Sequence, residues 1–81
     1  MSKYKINGEP DFVGLPEIEA TSIESAALKD DVASEMAWSE GTCETYVLDV
    51  KTNEVWLCEI EIEHIANVRV IKQVEVIKRD D

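Results

Sequence analysis

Basic residues are scarce in this sequence: eight lysines and arginines stand against eighteen aspartates and glutamates, a formal net charge of −10. Nucleic acids and anionic membranes are gripped mainly by Lys and Arg that neutralise their charge. The shortage argues against direct contact with either and makes a basic protein surface the natural complement. Histidine occurs once, at position 64, and cysteine twice, at 43 and 58. With neither a His-x-x-x-His nor a Cys-x-x-Cys spacing, no metal site is expected. Two thiols are too few for a disulfide framework, so reduced cysteines of a cytosolic protein are expected. No apolar run approaches the roughly 20 residues of a membrane span, and Met1 to Ile6 lacks the apolar stretch of a secretory signal, which points to a cytoplasmic protein.

Signs of catalysis and cofactor binding are equally sparse. The early glycines, Gly8 and Gly14, fit no phosphate-binding pattern, so no cofactor is expected. Glu59, Glu61 and Glu63 recur at about 7 Å along an extended chain, and glycosidases use carboxylate pairs at comparable distances. Those pairs work in a buried cleft, whereas a small meander offers none, and the three glutamates read as a solvated sheet face. His64 reads as a surface histidine. No enzymatic activity is expected.

What the chain does contain is enough to fold. A 44% hydrophobic content over 81 residues argues for one small acidic domain, residues 1 to 81, with a single core. Asn7-Gly8, Pro10, Gly14 and Pro16 mark a loop after a short strand at Lys3 to Ile6. A helix is expected from Ser22 to Trp38, capped by Thr21 or Ser22, with Glu24 in its first turn and Gly41 just past its end; Pro16 could open it earlier. Leu28, Val32 and Met36 then align, flanked by Ala26, Ala33 and Ala37, and are expected to pack on Leu48, Trp56 and Ile60. Cys43 to Val50, Glu54 to Ile62 and Val68 to Ile77 read as strands, with a bulge at Val70-Ile71. A helix over 63 to 74 is the alternative for the last. The fold class is α+β: one amphipathic helix on a three- to four-stranded, mainly antiparallel sheet.

Turn length fixes which side chains share a face. A three-residue loop, Lys51 to Asn53 with Asn53 left-handed, pairs Val50 with Glu54, Leu48 with Trp56 and Tyr46 with Cys58, gathering the apolar residues on one side. A two- or four-residue loop splits them between faces. The preferred register puts Cys43 and Cys58 on opposite faces, which leaves both thiols free. It also places Val47, Val55 and Leu57 together on the outward face as a small apolar patch.

The charge is unevenly distributed. Residues 9 to 44 hold ten acids and one base, Lys29, a net of −9, whereas residues 64 to 79 hold four bases and one acid, a net of +3. The loop and helix form an acidic pole suited to steering a basic partner. The expected binding residues are Glu17, Glu19, Glu24, Asp30, Asp31, Glu35, Trp38 and Glu40. The function expected is that of a small acidic protein-binding or inhibitor protein. In its sharper form it mimics nucleic-acid charge and occludes the cationic groove of a nucleic-acid-binding enzyme, as small phage-encoded anti-defence inhibitors do. The alternative is an assembly module that forms homodimers or larger oligomers through the Val47, Val55, Leu57 patch or an edge strand.

Overall fold

Two side-chain caps shape the middle of the chain. The Ser22 hydroxyl oxygen accepts the Ser25 N–H at 3.1 Å and opens helix α1, Ile23–Leu28. Asp30 Oδ1 accepts the Ala33 N–H at 3.1 Å and opens a second helix, α2, Asp31–Glu40. Gly41, at φ 94°, closes α2 by donating its N–H to the Ala37 carbonyl, a left-handed end that glycine adopts without a Cβ penalty. The single helix expected from Ser22 to Trp38 is thus broken at Lys29 and Asp30, because Asp30 caps the next turn instead of continuing the previous one.

The computed structural model describes residues 2 to 62 and 66 to 74. Strands β1 (Ser2–Asn7), β2 (Ile18–Ala20), β3 (Thr42–Asp49), β4 (Glu54–Ile62) and β5 (Ala66–Val74) complete an α+β domain. They form one antiparallel sheet in the order β2-β1-β3-β4-β5. Among the described residues the sheet therefore has five strands, one more than expected at most. The addition is β2, three residues long and bordered by the Pro16 loop, too short for an alternating pattern to announce it. The expected bulge is present: Cys58 pairs with Val70 and Leu57 with Lys72, leaving Ile71 as the extra residue. Residues 63 to 65 and 75 to 77, with His64, fall outside the described residues.

The β3–β4 turn corrects the expected register. Asn53 is left-handed, at φ 59°, but Asp49 pairs with Glu54 across a four-residue loop. Asp49 imposes this length: its carbonyl accepts the Asn53 N–H at 2.7 Å and its Oδ1 accepts the Lys51 N–H at 3.0 Å. The apolar residues are consequently divided. Val47, Trp56, Cys58 and Ile60 face the helices, while Tyr46, Leu48, Val55 and Leu57 face the other way. The predicted Val47, Val55, Leu57 patch does not exist as an exposed surface, since Val47 lies under the helices and all three are buried. Cys43 and Cys58 share a face after all, but as diagonal neighbours, and both are free. Diagonal positions lie about 7–8 Å apart, too far for easy disulfide geometry.

Beneath α1 the core consists of Tyr4, Ala20, Ala26, Ala27, Val47 and Cys58, with Ile6, Ile18, Ile23, Trp56, Val68 and Val70 packed against it. Beneath α2 it consists of Ala33, Ala37 and Ile60. The helices meet the sheet through alanines, which allow close approach. The expected contact stripe is overturned: Leu28, Val32 and Met36 are exposed.

Candidate functional site

Helix α2 carries two chemically different stripes outside its alanine face. Residues four and three apart lie along one line of a helix, so Asp31, Glu35 and Trp38 form an outward row, all exposed. Trp38 keeps 63% of its surface in solvent. Val32, Met36 and Glu40 form a second row at the helix flank, where Val32 and Met36 retain 70% and 46% exposure.

The second row borders an open groove of about 450 Å³ lined by Ile6, Asn7, Gly8, Asp30, Val32, Ala33, Met36, Cys43 and Glu44. Three parts of the chain meet there through a buried polar tie. Thr45, fully buried on β3, places its Oγ1 2.8 Å from Asp30 Oδ2 and 3.1 Å from the Asn7 carbonyl oxygen. The hydroxyl has one proton to donate, and the carboxylate is the nearer and stronger acceptor. Asn7 in turn anchors the following loop, its Nδ2 donating to the Asp11 carbonyl at 2.6 Å. The α2 N-terminus, the end of β1 and the middle of β3 are held together at the groove.

The two thiols report the local field. Burial raises the Cys43 pKa, and the carboxylates of Asp30, Glu40 and Glu44 raise it further. Burial likewise pushes the Cys58 thiol up to about 11, with Glu24 adding to the effect. Both environments favour the neutral thiol over the nucleophilic thiolate. Among the described residues, no group of three His, Cys, Asp or Glu side chains is arranged to hold a metal ion, and no helix is long and apolar enough to cross a membrane.

The acidic residues singled out by the sequence are only partly brought together. Glu24 lies in the first turn of α1, and Asp31 and Glu35 share the outer row of α2 with Trp38. Glu40 ends the groove-side row. Asp30 is a structural residue, with one carboxylate oxygen bonded to the α2 N-terminus and the other to Thr45. Glu19 stands apart: Ala20 and Ile18 of β2 face the core, so Glu19 points to the opposite sheet face, paired with Lys3. Glu17 precedes that strand and is exposed. The helical pattern hides the groove, because it turns Val32 and Met36 toward the core. Thr45 gives no sequence signal, and the capping role of Asp30 is hidden by the continuous helical pattern around it.

The chain matches no protein-family model, and neither the curated proteins nor the solved structures yield a significant match.

Proposed function

We propose that this is a binding protein rather than an enzyme, one that presents the acidic outer surface of its helical layer to a basic protein partner. The observation that carries the reading is the outward row Asp31, Glu35 and Trp38 on α2. Two carboxylates beside an exposed indole supply both long-range attraction for cations and an aromatic anchor that stacks on Arg or Lys. Glu24 on α1 and Glu40 at the end of α2 extend the same charge, while Glu17 and Glu19 widen the field at the β2 edge. The cationic groove of a nucleic-acid-binding enzyme, which this protein would shield as an inhibitor, is the form of partner best matched to a net charge of −10.

The test is capture of partners from lysate with wild type and with the Asp31→Lys/Glu35→Lys variant, washed at roughly 50 mM and 500 mM salt, where the Debye length shrinks from above 10 Å to below 5 Å. Partners bound through this surface are retained by wild type at low salt and lost with the variant. Retention by the variant at both salts overturns the reading.

A second reading rests on β5, nine residues long, which ends the sheet among the described residues and leaves Ile71 exposed. Unpaired edges template strand addition. Antiparallel self-pairing centred between Val70 and Ile71 would put Arg69 opposite Lys72 of the second copy, a like-charge contact that disfavours it.

A further inference from the structure

We propose that the groove between α2 and the ends of β1 and β3 seats a large aliphatic side chain from a basic segment of the partner, with flanking Lys or Arg residues on the groove's acidic rim. This inference rests on the basic-partner reading for the charge of the occupant, but the site is separate from the Asp31, Glu35, Trp38 row.

The groove's volume of about 450 Å³ falls within the ~300–1,000 Å³ typical of ligand clefts. Its apolar lining comes from Ile6, Val32, Ala33, Met36 and Cys43. The exposure of Val32 and Met36 lies beside a cavity, so an inserted aliphatic group removes apolar surface from water on two sides. Methionine adapts its shape to varied occupants.

Charge selects the occupant. Asp30 and Glu44 line the groove, and among the described residues no Lys or Arg does. Glu40 stands one turn beyond Met36, and its carboxylate acts on the same thiol, Cys43, as those of Asp30 and Glu44. Two acidic residues thus line an apolar pocket, and Glu40 lies near the same thiol. An anionic ligand is repelled, and a neutral one leaves the field unanswered. An aliphatic residue bracketed by cations satisfies both features. A second copy offers Arg69-Val70-Ile71-Lys72 on β5, but Arg69 is already paired with Glu59 at 3.0 Å and two chains of −10 repel each other.

The experiment is a titration of the isotopically labelled full chain, followed through backbone amide shifts, with two acetylated peptides. One is Lys-Lys-Leu-Lys-Lys-Leu-Lys-Lys; the other carries serine in place of both leucines. The expected result is that the leucine peptide binds at least about tenfold more tightly. It should shift Ile6, Gly8, Val32, Met36 and Cys43 and slow alkylation of Cys43. The Val32→Ser/Met36→Ser variant, whose changes lie on exposed positions, should abolish the difference between peptides while retaining amide dispersion.

Equal binding of both peptides, with shifts confined to Glu24, Asp31 and Glu35, overturns the groove and leaves the acidic-surface reading standing. Groove binding by the leucine peptide that is unchanged at high salt overturns the basic occupant. Failure of both peptides to bind at low salt overturns the groove and the acidic surface together. Concentration-dependent self-association lost in the Val32→Ser/Met36→Ser variant assigns the groove to a second copy and overturns the heterologous partner.

Discussion

Asp30 joins three parts of the fold through one side chain. It caps α2 through the Ala33 N–H and accepts from the buried Thr45 hydroxyl, beside the end of β1. Removing the carboxylate in Asp30→Ala deletes a cap and leaves a buried hydroxyl without its best acceptor, so a loss of about 1–3 kcal/mol is expected in urea unfolding. Asp30→Asn keeps the capping oxygen and should lose less. Cys58 supplies a separate pH signature. Its pKa rises from 9.0 to about 11 on folding, so the neutral thiol is favoured in the native state. Its contribution is complete below pH 9 and lost as pH rises from 9 to 11, because the unfolded thiol ionises first. The loss is on the order of 2 kcal/mol. Lysines and tyrosines also titrate in that window, so the measurement is the difference between wild type and Cys58→Ala across the pH series. A pH-independent difference would contradict the assignment.

At the scale of elements, α2 shows why the strand pattern was easier to read than the helix. β4 begins and ends where its alternation places it, at Glu54–Ile62, and β5 bulges at the Val70-Ile71 pair. The helix offered two apolar stripes on adjoining faces, one of alanines and one of Leu28, Val32 and Met36. Size misleads there: larger residues imply more burial, yet only alanines fit where a helix lies close against a sheet. The turn register also escaped the sequence, since it was decided by the Asp49 carboxylate and carbonyl and not by apolar content. The acidic pole was legible as composition. The separation of Glu19 from the helical acids was not, because β2 was invisible. The two stripes make opposite predictions for mutation. Val32→Asp should stay within about 0.5 kcal/mol of wild type in thermal unfolding. Ala37→Leu, at a fully buried position, should cost about 1–3 kcal/mol through overpacking. The reverse order would return Val32 to the core.

For the whole molecule, the question is whether a charge of −10 acts as a diffuse field or through a defined surface. Glu35 and Glu61 separate these cases. Glu35 lies on the outer row of α2, and Glu61 is exposed on the sheet face turned away from both helices. Glu35→Lys and Glu61→Lys each raise net charge by the same amount, and neither glutamate takes part in a described ion pair that its loss would disrupt. Glu59 is unsuitable as a control because it pairs with Arg69. If the helical surface docks the partner, Glu35→Lys slows association severalfold and flattens its salt dependence, whereas Glu61→Lys changes the rate much less, since charges beyond a Debye length of about 8–10 Å are largely screened. Stopped-flow association with a captured partner reads both. Equal slowing by the two variants assigns the charge to nonspecific steering, and an unaffected Glu35→Lys rate removes the outer row of α2 from the binding surface.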